Sequence, residues 1–306
     1  YEHVIRAAMN TPWAILPEKL AMIRDVLARR ADGVRWTKDE IREQMALMGV
    51  DMAAPGRNVA RQAGTIAVLP ITGVIQNRVS EMDESSGMVG INGIGRRFAA
   101  LVGNPDVKAI VLDVDSPGGM VYGTPEFAGQ VFAARETKPV IAVADQLAAS
   151  AAYYIAAAAG ELYVSPSGQV GSVGVYSMHV DQSKAMEMEG LNVSLISAGK
   201  YKTEGNPFEP LSDEARDEMQ REVDFYHDMF IRDLARFRGV SVSVVRADFG
   251  QGRVVNAQEA VRRKMADGVR TLDQVIAKAL DGPYREGERI IVTAEGWKPT
   301  DRKSVV

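Results

Sequence analysis

The sequence predicts an α/β protein in which parallel strands alternate with helices. Short, β-branched and almost continuously apolar runs recur between residues 65 and 197, which is typical of strands buried on both faces of a sheet. Amphipathic or alanine-rich segments with helical periodicity separate these runs. This alternation indicates right-handed βαβ units, in which ligands bind at the carboxyl ends of the strands.

The first sixty residues are predicted to form a separate helical segment. Apolar residues repeat at helical spacing from Leu16 to Leu27, and Thr37 with Glu40 forms a capping box at the start of a second helix. A linker is expected over 53–64, where proline and glycine interrupt the pattern.

Strands and helices then follow one another along the chain. Strands are expected at 65–75, 109–115, 140–145, 161–164 and 193–197. Helices are expected at 92–102, after Thr124 as N-cap, after Ser150, at 211–237, from Asn256 to Gly268, and at 271–280. The helix at 211–237, capped by Ser212 and ended by Gly239, carries an apolar stripe that indicates packing within the subunit, with a subunit interface as the alternative.

Composition excludes several classes of function. The chain of 306 residues has no cysteine, which excludes disulfides, a thiolate nucleophile and cysteine-bound zinc. Its histidines, His3, His179 and His227, are scattered, so we expect neither a metal site nor another cofactor. A net charge of −4 without a dense basic block argues against nucleic acid as a partner. No apolar run reaches the roughly 18 to 20 residues of a membrane span, so we expect no membrane anchor.

The ends of the sequence suggest a fragment. The chain begins with Tyr1 instead of methionine, and residues 301–306 match what a common sequencing adapter encodes in one reading frame. We therefore leave 301–306 out of the fold prediction and expect the stretch 282–306 to be a truncated or partly artefactual tail.

Three segments that follow predicted strands carry residues suited to catalysis. The first is the turn DSPGG, from Asp115 to Gly119, directly after a buried strand. Its two glycines, Gly118 and Gly119, can turn backbone N–H groups toward a ligand oxygen, as an oxyanion hole requires. A tight turn without a catalytic role is the alternative interpretation.

The second segment places Ser150 among alanines at a strand-to-helix corner, in the sequence LAASAA over 147–152. A sharp corner with small neighbours is similar in principle to a nucleophile elbow, although alanine stands where the usual pattern has glycine. The alternative is a serine that only caps the helix.

A serine nucleophile needs a base, and the third segment offers lysine. Neither His179 nor His227 lies in a sequence context typical of a Ser-His-Asp triad. The stretch SAGKYKTEGNPF over 197–208 runs from a predicted strand into a loop, where a desolvated lysine could accept the serine proton. Lys200 and Lys202 are both candidates, and an ordinary surface lysine is the alternative for each.

Together these segments resemble peptidase family S49, the signal-peptide-peptidase-A family of Ser/Lys proteases. The match runs over about residues 63–280 in the family's order: a strand with an SPGG turn, ASAAYY, GSVG, and a lysine five residues before Pro207. The resemblance implies a ClpP/crotonase-like fold of stacked βαβ units. We therefore expect a Ser/Lys peptidase domain over 61–281, preceded by the helical segment of 1–60.

The resemblance also implies roles for individual residues. Ser150 is the expected nucleophile and Lys202 the expected general base. The hydroxyl of Ser172 is expected to orient the lysine amine. The expected oxyanion hole consists of backbone N–H groups near Gly118, Gly119 and Ala151. Ala151 and Ala152 stand where many cellular members have a glycine pair, which should narrow the site slightly.

Several motifs are similar to one branch of the family, the capsid assembly proteases of lambda-like phages. They are SGM with NGI over 86–94, GGMV after Pro117, GNP at 205–207, the GVSV turn at 239–242 and TPWAILP at 11–17. We therefore expect a serine endopeptidase that processes phage capsid or scaffold proteins during head assembly, in the cytoplasm of the bacterial host or within the prohead. The family also implies a homo-oligomeric ring.

Three other functions remain open. A cellular-type signal peptide peptidase would act on membrane-derived peptides. A crotonase-like enzyme would act on acyl-CoA and would not need Ser150 and Lys202 together, so tight CoA binding would favour it. A non-catalytic scaffold protein would keep the fold without a reactive serine, and a serine-directed probe on Ser150 would separate it from a protease.

Overall fold

The computed structural model describes residues 12–17, 61–63, 66–78 and 88–281. The two helices predicted in the first sixty residues, most of the linker and all of the tail lie outside these residues. The strands are β1 (Trp13–Ile15), β2 (Arg61–Ala63), β3 (Ile66–Thr72), β4 (Val74–Gln76), β5 (Met88–Gly90), β6 (Ala109–Ser116), β7 (Gly118–Met120), β8 (Val140–Ala149), β9 (Glu161–Val164), β10 (Gln169–Gly171), β11 (Val254–Asn256) and β12 (Gly268–Val269). The helices are α1 (Ile91–Gly103), α2 (Thr124–Ala134), α3 (Ala151–Ala157), α4 (Ser183–Met188), α5 (Asp213–Arg238), α6 (Val242–Asp248), α7 (Ala257–Arg262) and α8 (Leu272–Asp281).

The larger sheet has the strand order β11-β10-β8-β6-β3-β2, and β9 pairs with both β8 and β12 beside this path. Strands β3, β6, β8 and β10 are parallel, whereas β2 and β11 pair antiparallel at the two edges. Helices α1 and α2 lie in the connections between successive parallel strands. The prediction of an α/β protein built from parallel βαβ units is confirmed.

A smaller sheet with the order β1-β7-β4-β5 follows the carboxyl ends of two strands of the larger one. The chain passes from β3 into β4 at Gly73, whose φ of 93° is in the left-handed region, and whose N–H donates to the Asp115 carbonyl at 3.0 Å. It passes from β6 into β7 at Pro117. The smaller sheet therefore lies next to the edge where a ligand is expected.

Several predicted elements differ from the structure. The run predicted as one strand over 65–75 is two strands, because Gly73 turns the chain. The predicted strand over 193–197 is wrong: this stretch is irregular and exposed. Helix α2 begins at Thr124, one residue before the prediction, and Thr124 Oγ1 donates to the Met120 carbonyl at 2.8 Å instead of capping the helix.

The other helices predicted after residue 90 are present and differ from the predictions only at their ends, whereas α4 and α6 were not predicted. Ser212 Oγ accepts a hydrogen bond from the Ala215 N–H, and Gly239 ends α5 with a φ of 63°. Asn256 caps α7 as predicted, but α7 ends at Arg262 instead of continuing to Gly268. Strand β8 extends four residues beyond the predicted end, directly to Ser150.

Apolar side chains cover both faces of the larger sheet. Helices α1, α2, α3 and the second half of α5 bury Phe98, Phe127, Ile155 and Leu234 in the main cluster. Helix α8 covers the other face with Val275 and Ala279. Each large side chain buried in this way contributes about 1.5 to 3 kcal/mol. Within the described residues, no helix has the length and apolar character needed to cross a membrane.

Candidate active site

Ser150 lies at the corner between β8 and α3 in an unusual backbone conformation. Its φ of 55° and ψ of −117° are outside the regions that non-glycine residues normally adopt. The residue is 1% exposed, and its hydroxyl makes a long hydrogen bond of 3.5 Å to the Gly174 carbonyl. Its side chain does not cap α3, so helix capping does not account for a serine at this position. A strained serine at a strand-to-helix corner is the backbone arrangement of a nucleophile elbow.

Ser172 lies at the end of the neighbouring strand. β10 pairs in parallel with the end of β8, with Gly171 opposite Ala149, so Ser150 and Ser172 leave adjacent strands at the same edge. The Ser150 N–H donates to the Gly171 carbonyl at 2.7 Å and joins the two corners. Ser172 is also buried and has a positive φ of 53°. The structure thus brings both predicted serines to one edge of the larger sheet.

The glycine turn packs directly against Ser150. Gly118 has a φ of +98°, and a Cβ at this position would lie 2.8 Å from the Ala149 carbonyl oxygen and 3.0 Å from Ser150 Cβ. A Cβ on Gly119 would lie 1.9 Å from the Ile75 carbonyl oxygen. Both positions therefore require glycine, because neighbouring backbone atoms approach them closely. Gly118 requires it also because of its positive φ.

Ser116 is a residue of this turn to which the sequence assigned no role. Its buried hydroxyl donates to the Gly73 carbonyl at 2.6 Å and accepts a hydrogen bond from the Gly118 N–H at 3.2 Å. Ser116 therefore connects the two points where the chain leaves the larger sheet. The SPGG motif contained it, but only the fold reveals its partner, 43 residues earlier in the chain.

Helix α3 is fixed to α5 through Tyr154. Ala151 and Ala152 are fully buried at its start. The Tyr154 ring stacks on Phe230 at 4.3 Å, and its hydroxyl donates to Asp233 Oδ2 at 2.5 Å. Burial, together with this hydrogen bond to Asp233, raises the pKa of Tyr154 far above its ordinary value. Tyr154, the last residue of the ASAAYY motif, thus anchors the start of α3, where the Ala151 N–H lies, on α5.

The two candidate lysines differ in their surroundings. Lys200 Nζ forms an exposed ion pair with Glu214 at 2.7 Å and donates a hydrogen bond to the Tyr201 hydroxyl at 3.0 Å, and the hydrogen bond that it donates to Glu214 raises the pKa of Lys200. These contacts keep Lys200 protonated, which disfavours it as a base. Lys202 is exposed, and its amine makes no hydrogen bond or ion pair to Ser150 or Ser172 within the described part of the chain. The structure does not bring Lys202 to the two serines in this single subunit.

The site also contains a strand from the stretch 1–60, for which the sequence predicted helices. Strand β1, from the TPWAILP motif, pairs antiparallel with β7, with Ala14 opposite Gly119 and Ile15 opposite Gly118. The other edge of β1 bonds to Tyr176 through the N–H and carbonyl of Trp13, at 2.9 and 3.1 Å. A peptide strand therefore lies between the glycine turn and the segment that follows Ser172.

Comparison with known proteins gives matches over much of the chain. The family model that matches is peptidase family S49, over residues 133–282. The chain is 32% identical over 274 residues to "Capsid assembly protease C" of Escherichia phage lambda, covering 87% of this chain and 62% of that protein. It is 30% identical over 303 residues to "Head-tail preconnector protein GP5" of Enterobacteria phage P21, covering 95% of this chain and 60% of that protein. The chain thus spans less than two thirds of the length of either relative.

Among solved structures, the chain is similar to the ClpP protease catalytic domain from Plasmodium falciparum, at 13% identity and a TM-score of 0.42, covering 78% of this chain and 93% of that one.

Proposed function

Residues 133–282 belong to peptidase family S49, and from this premise we propose that the protein is a serine endopeptidase with Ser150 as its nucleophile. The observation that carries the proposal is the strained, buried conformation of Ser150 beside the Gly118 turn. Holding a side chain in a sparsely populated backbone region costs about 1 to 3 kcal/mol, and such strain clusters at active sites.

In the proposed mechanism, the neutral amine of Lys202 takes the proton of the Ser150 hydroxyl while Oγ attacks a peptide carbonyl. Backbone N–H groups near Gly118, Gly119 and Ala151 bind the developing oxyanion, and one such donor is worth about 3 to 4 kcal/mol of the barrier. Lys202 then protonates the leaving amine, the C–N bond breaks, and water hydrolyses the acyl-enzyme. Ser172 orients the lysine amine.

The mechanism requires Lys202 to approach Ser150, and we propose that assembly of subunits achieves this. The segment before Lys202 exposes large apolar side chains: Leu191, Val193, Leu195, Ile196 and Tyr201, of which Ile196 is 99% exposed. An apolar stretch of this kind marks an interaction surface. A homo-oligomer that buries this segment would also remove Lys202 from water, which is the environment of lysines that act in catalysis.

For the substrate, we propose the capsid or scaffold proteins of a phage. Two relatives of similar sequence are named as a capsid assembly protease and a head-tail preconnector protein, and both match the chain over most of its length. The reaction would then take place in a bacterial host, in the cytoplasm or within the prohead.

The catalytic assignment is tested with Ser150→Ala and Lys202→Met, with Lys200→Met as the matched control. We expect the first two variants to lose peptide hydrolysis while unfolding at the same temperature as the parent, and the control to stay active. A fluorophosphonate probe should label the parent at Ser150. Undiminished hydrolysis by Ser150→Ala or Lys202→Met would refute the assignment.

The substrate is tested by co-expression with the capsid and scaffold genes of the same phage, followed by mass-spectrometric mapping of new protein termini. New termini should form with the parent and not with Ser150→Ala. Identical termini with both proteins would reject this choice of substrate.

A further inference from the structure

We propose that β1 occupies the peptide-binding cleft of the active site, and that its sequence, Trp13-Ala14-Ile15, shows which peptides the cleft accepts. The cleft takes an extended peptide with a small residue between two large apolar residues. This inference rests on the proposed function of Ser150 and names the substrate class of that same site.

The backbone of β1 is bound on both of its edges. On one side, the Leu16 N–H donates to the Pro117 carbonyl at 3.2 Å, and the Val121 N–H donates to the Pro12 carbonyl at 3.4 Å. On the other side, Trp13 exchanges two hydrogen bonds with Tyr176. Addition of a strand to exposed backbone edges is a common way to bind an extended peptide, because the hydrogen bonds do not depend on the peptide's side chains.

The middle of β1 lies at the glycine turn beside Ser150. In an antiparallel ladder, hydrogen-bonded pairs alternate with non-bonded ones, and the bonds at Pro12 and Leu16 make Ala14 and Gly119 a bonded pair. A Cβ added to Gly118 would lie 2.3 Å from the Ala14 carbonyl oxygen and 3.0 Å from Ser150 Cβ. The Ala14 carbonyl thus contacts the residues that we propose for the oxyanion hole.

The side chains of β1 alternate between two different environments. Trp13 and Ile15 are each 2% exposed, and they pack with Val74 against Met120, Tyr176 and Met178. This surface accepts large apolar side chains at two positions of a bound peptide, one on each side of the central residue.

Ala14 points the other way, into the main core. It closes a cavity of about 10 Å³ lined by Val121, Thr124, Pro125, Tyr154, Val175, Tyr226 and Phe230. That volume is about what one water molecule needs, so the position of Ala14 accepts an alanine side chain and little more. Tyr154 and Phe230 form one wall as a stacked pair, which fixes its size.

The occupied cleft has a direct consequence: β1 competes with substrate. The test uses the whole chain carrying Trp13→Ala and Ile15→Ala together, which weakens the strand and leaves Ser150 and Lys202 intact. We expect fluorophosphonate labelling of Ser150 and peptide hydrolysis to be about tenfold faster than in the parent. The control variant Val275→Ala removes buried apolar atoms from the opposite face of the larger sheet and should produce no acceleration.

Synthetic peptides test the sequence preference. Capped Thr-Pro-Trp-Ala-Ile-Leu-Pro should slow labelling of the double variant back toward the parent rate, whereas the same peptide with tryptophan in place of its alanine should not. If the double variant does not unfold cooperatively, Leu16→Pro replaces it, because proline removes the hydrogen bond to Pro117 and leaves the buried side chains of β1 unchanged.

The outcomes separate the two levels of inference. Equal labelling of parent and released variants, with no effect of either peptide, would mean that β1 is a permanent structural strand and would overturn the proposal, while leaving Ser150 as a nucleophile. Absence of labelling in every variant would reject the proposed function itself.

Discussion

Ser150 and Gly118 pack against each other, and a Cβ on Gly118 would lie 3.0 Å from Ser150 Cβ. Ser150 is a non-glycine residue in a conformation suited to glycine, and Gly118 has no room for even one carbon atom more. Stability and catalysis therefore make opposite demands on residue 150, since the hydroxyl is needed and the Cβ that carries it is strained.

Replacing Ser150 by glycine should stabilise the protein relative to Ser150→Ala. Glycine adopts the observed φ of 55° without strain, and the gain, reduced by the greater chain entropy of unfolded glycine, should be about 1 kcal/mol. Urea unfolding of the two inactive variants measures the difference directly. Equal stabilities would indicate that the corner carries no strain.

Gly118→Ala should lower the free energy of unfolding by several kcal/mol. Its methyl group would lie 2.8 Å from the Ala149 carbonyl oxygen, and alanine disfavours the φ of this position. Gly129→Ala is the matched control, since this helical glycine has nothing within 4 Å of its added Cβ and alanine favours the helix by about 1 kcal/mol. The unfolding temperature and the rate of fluorophosphonate labelling should both fall for Gly118→Ala, while Gly129→Ala should be at least as stable as the parent. A stable, active Gly118→Ala would contradict the described turn.

At the scale of elements, α8 is attached to β9 by a partly exposed polar cluster. Lys278 forms an ion pair with Glu161 and donates to the Tyr163 hydroxyl at 2.8 Å, while Tyr163 donates to Glu161 at 2.5 Å. Burial disfavours the charge of Glu161, but the hydrogen bonds from Lys278 and Tyr163 outweigh it and lower the pKa of this carboxyl below its ordinary 4.5.

Lys278→Met should lower the free energy of unfolding at neutral pH by less than about 1 kcal/mol, because the pair is half exposed and screened by solvent. A carboxyl whose pKa is lowered in the folded state stabilises the fold at pH values above its pKa in the unfolded chain. This contribution is lost as the pH falls through its pKa in the folded protein. The difference between parent and variant should therefore hold from neutral pH down to about pH 4.5, the ordinary pKa of this carboxyl, and shrink as the pH falls further, as measured by urea unfolding. Lys184→Met is the exposed control and should show no such trend.

Elements defined by local signals could be predicted from the sequence. Helix α5 has its cap at Ser212, its stop at Gly239 and a regular apolar stripe, and all three are properties of neighbouring residues. The division between β3 and β4 could not be predicted, because the apolar run continues through Gly73 and the break depends on pairing with Asp115. Strand β1 has only three residues, too few for a periodic pattern, and exists through its pairing with β7.

The site was predictable to a similar extent. The motifs indicated Ser150, Ser172 and the glycine turn, and the parallel register of β8 with β10 explains why two of them are neighbours. The position of the Lys202 side chain could not be read from its motif, because the stretch before it has β-branched residues typical of a strand but no partner strand in the described subunit.

At the scale of the whole molecule, the proposed mechanism requires an assembly of subunits. Mixing Ser150→Ala with Lys202→Met, each inactive alone, should restore a fraction of the parent activity if the lysine reaches the serine of a neighbouring subunit. Peptide hydrolysis measured after subunit exchange gives the answer, and a mixture of Ser150→Ala with the double variant Ser150→Ala/Lys202→Met is the control that should stay inactive. No recovery would assign Lys202 to the serine of its own subunit.

The same assembly should depend on the exposed segment before Lys202. Ile196→Asp should shift the protein to smaller species in analytical ultracentrifugation and reduce hydrolysis by a similar factor, because the charge would have to be buried at the contact. Val242→Asp, at an exposed apolar residue outside this segment, should leave both measurements unchanged. An active, fully assembled Ile196→Asp would remove the segment from the interface.

Strand β1 is covalently tethered to the cleft it occupies, and a tether of this kind sets an effective concentration on the order of millimolar. A free protein with the same affinity would displace β1 only on reaching a comparable concentration. Competition of this kind raises the apparent KM without making the concentration dependence steeper, so hydrolysis of a dilute substrate is slow and is fastest where many copies of the target are packed together in a small volume.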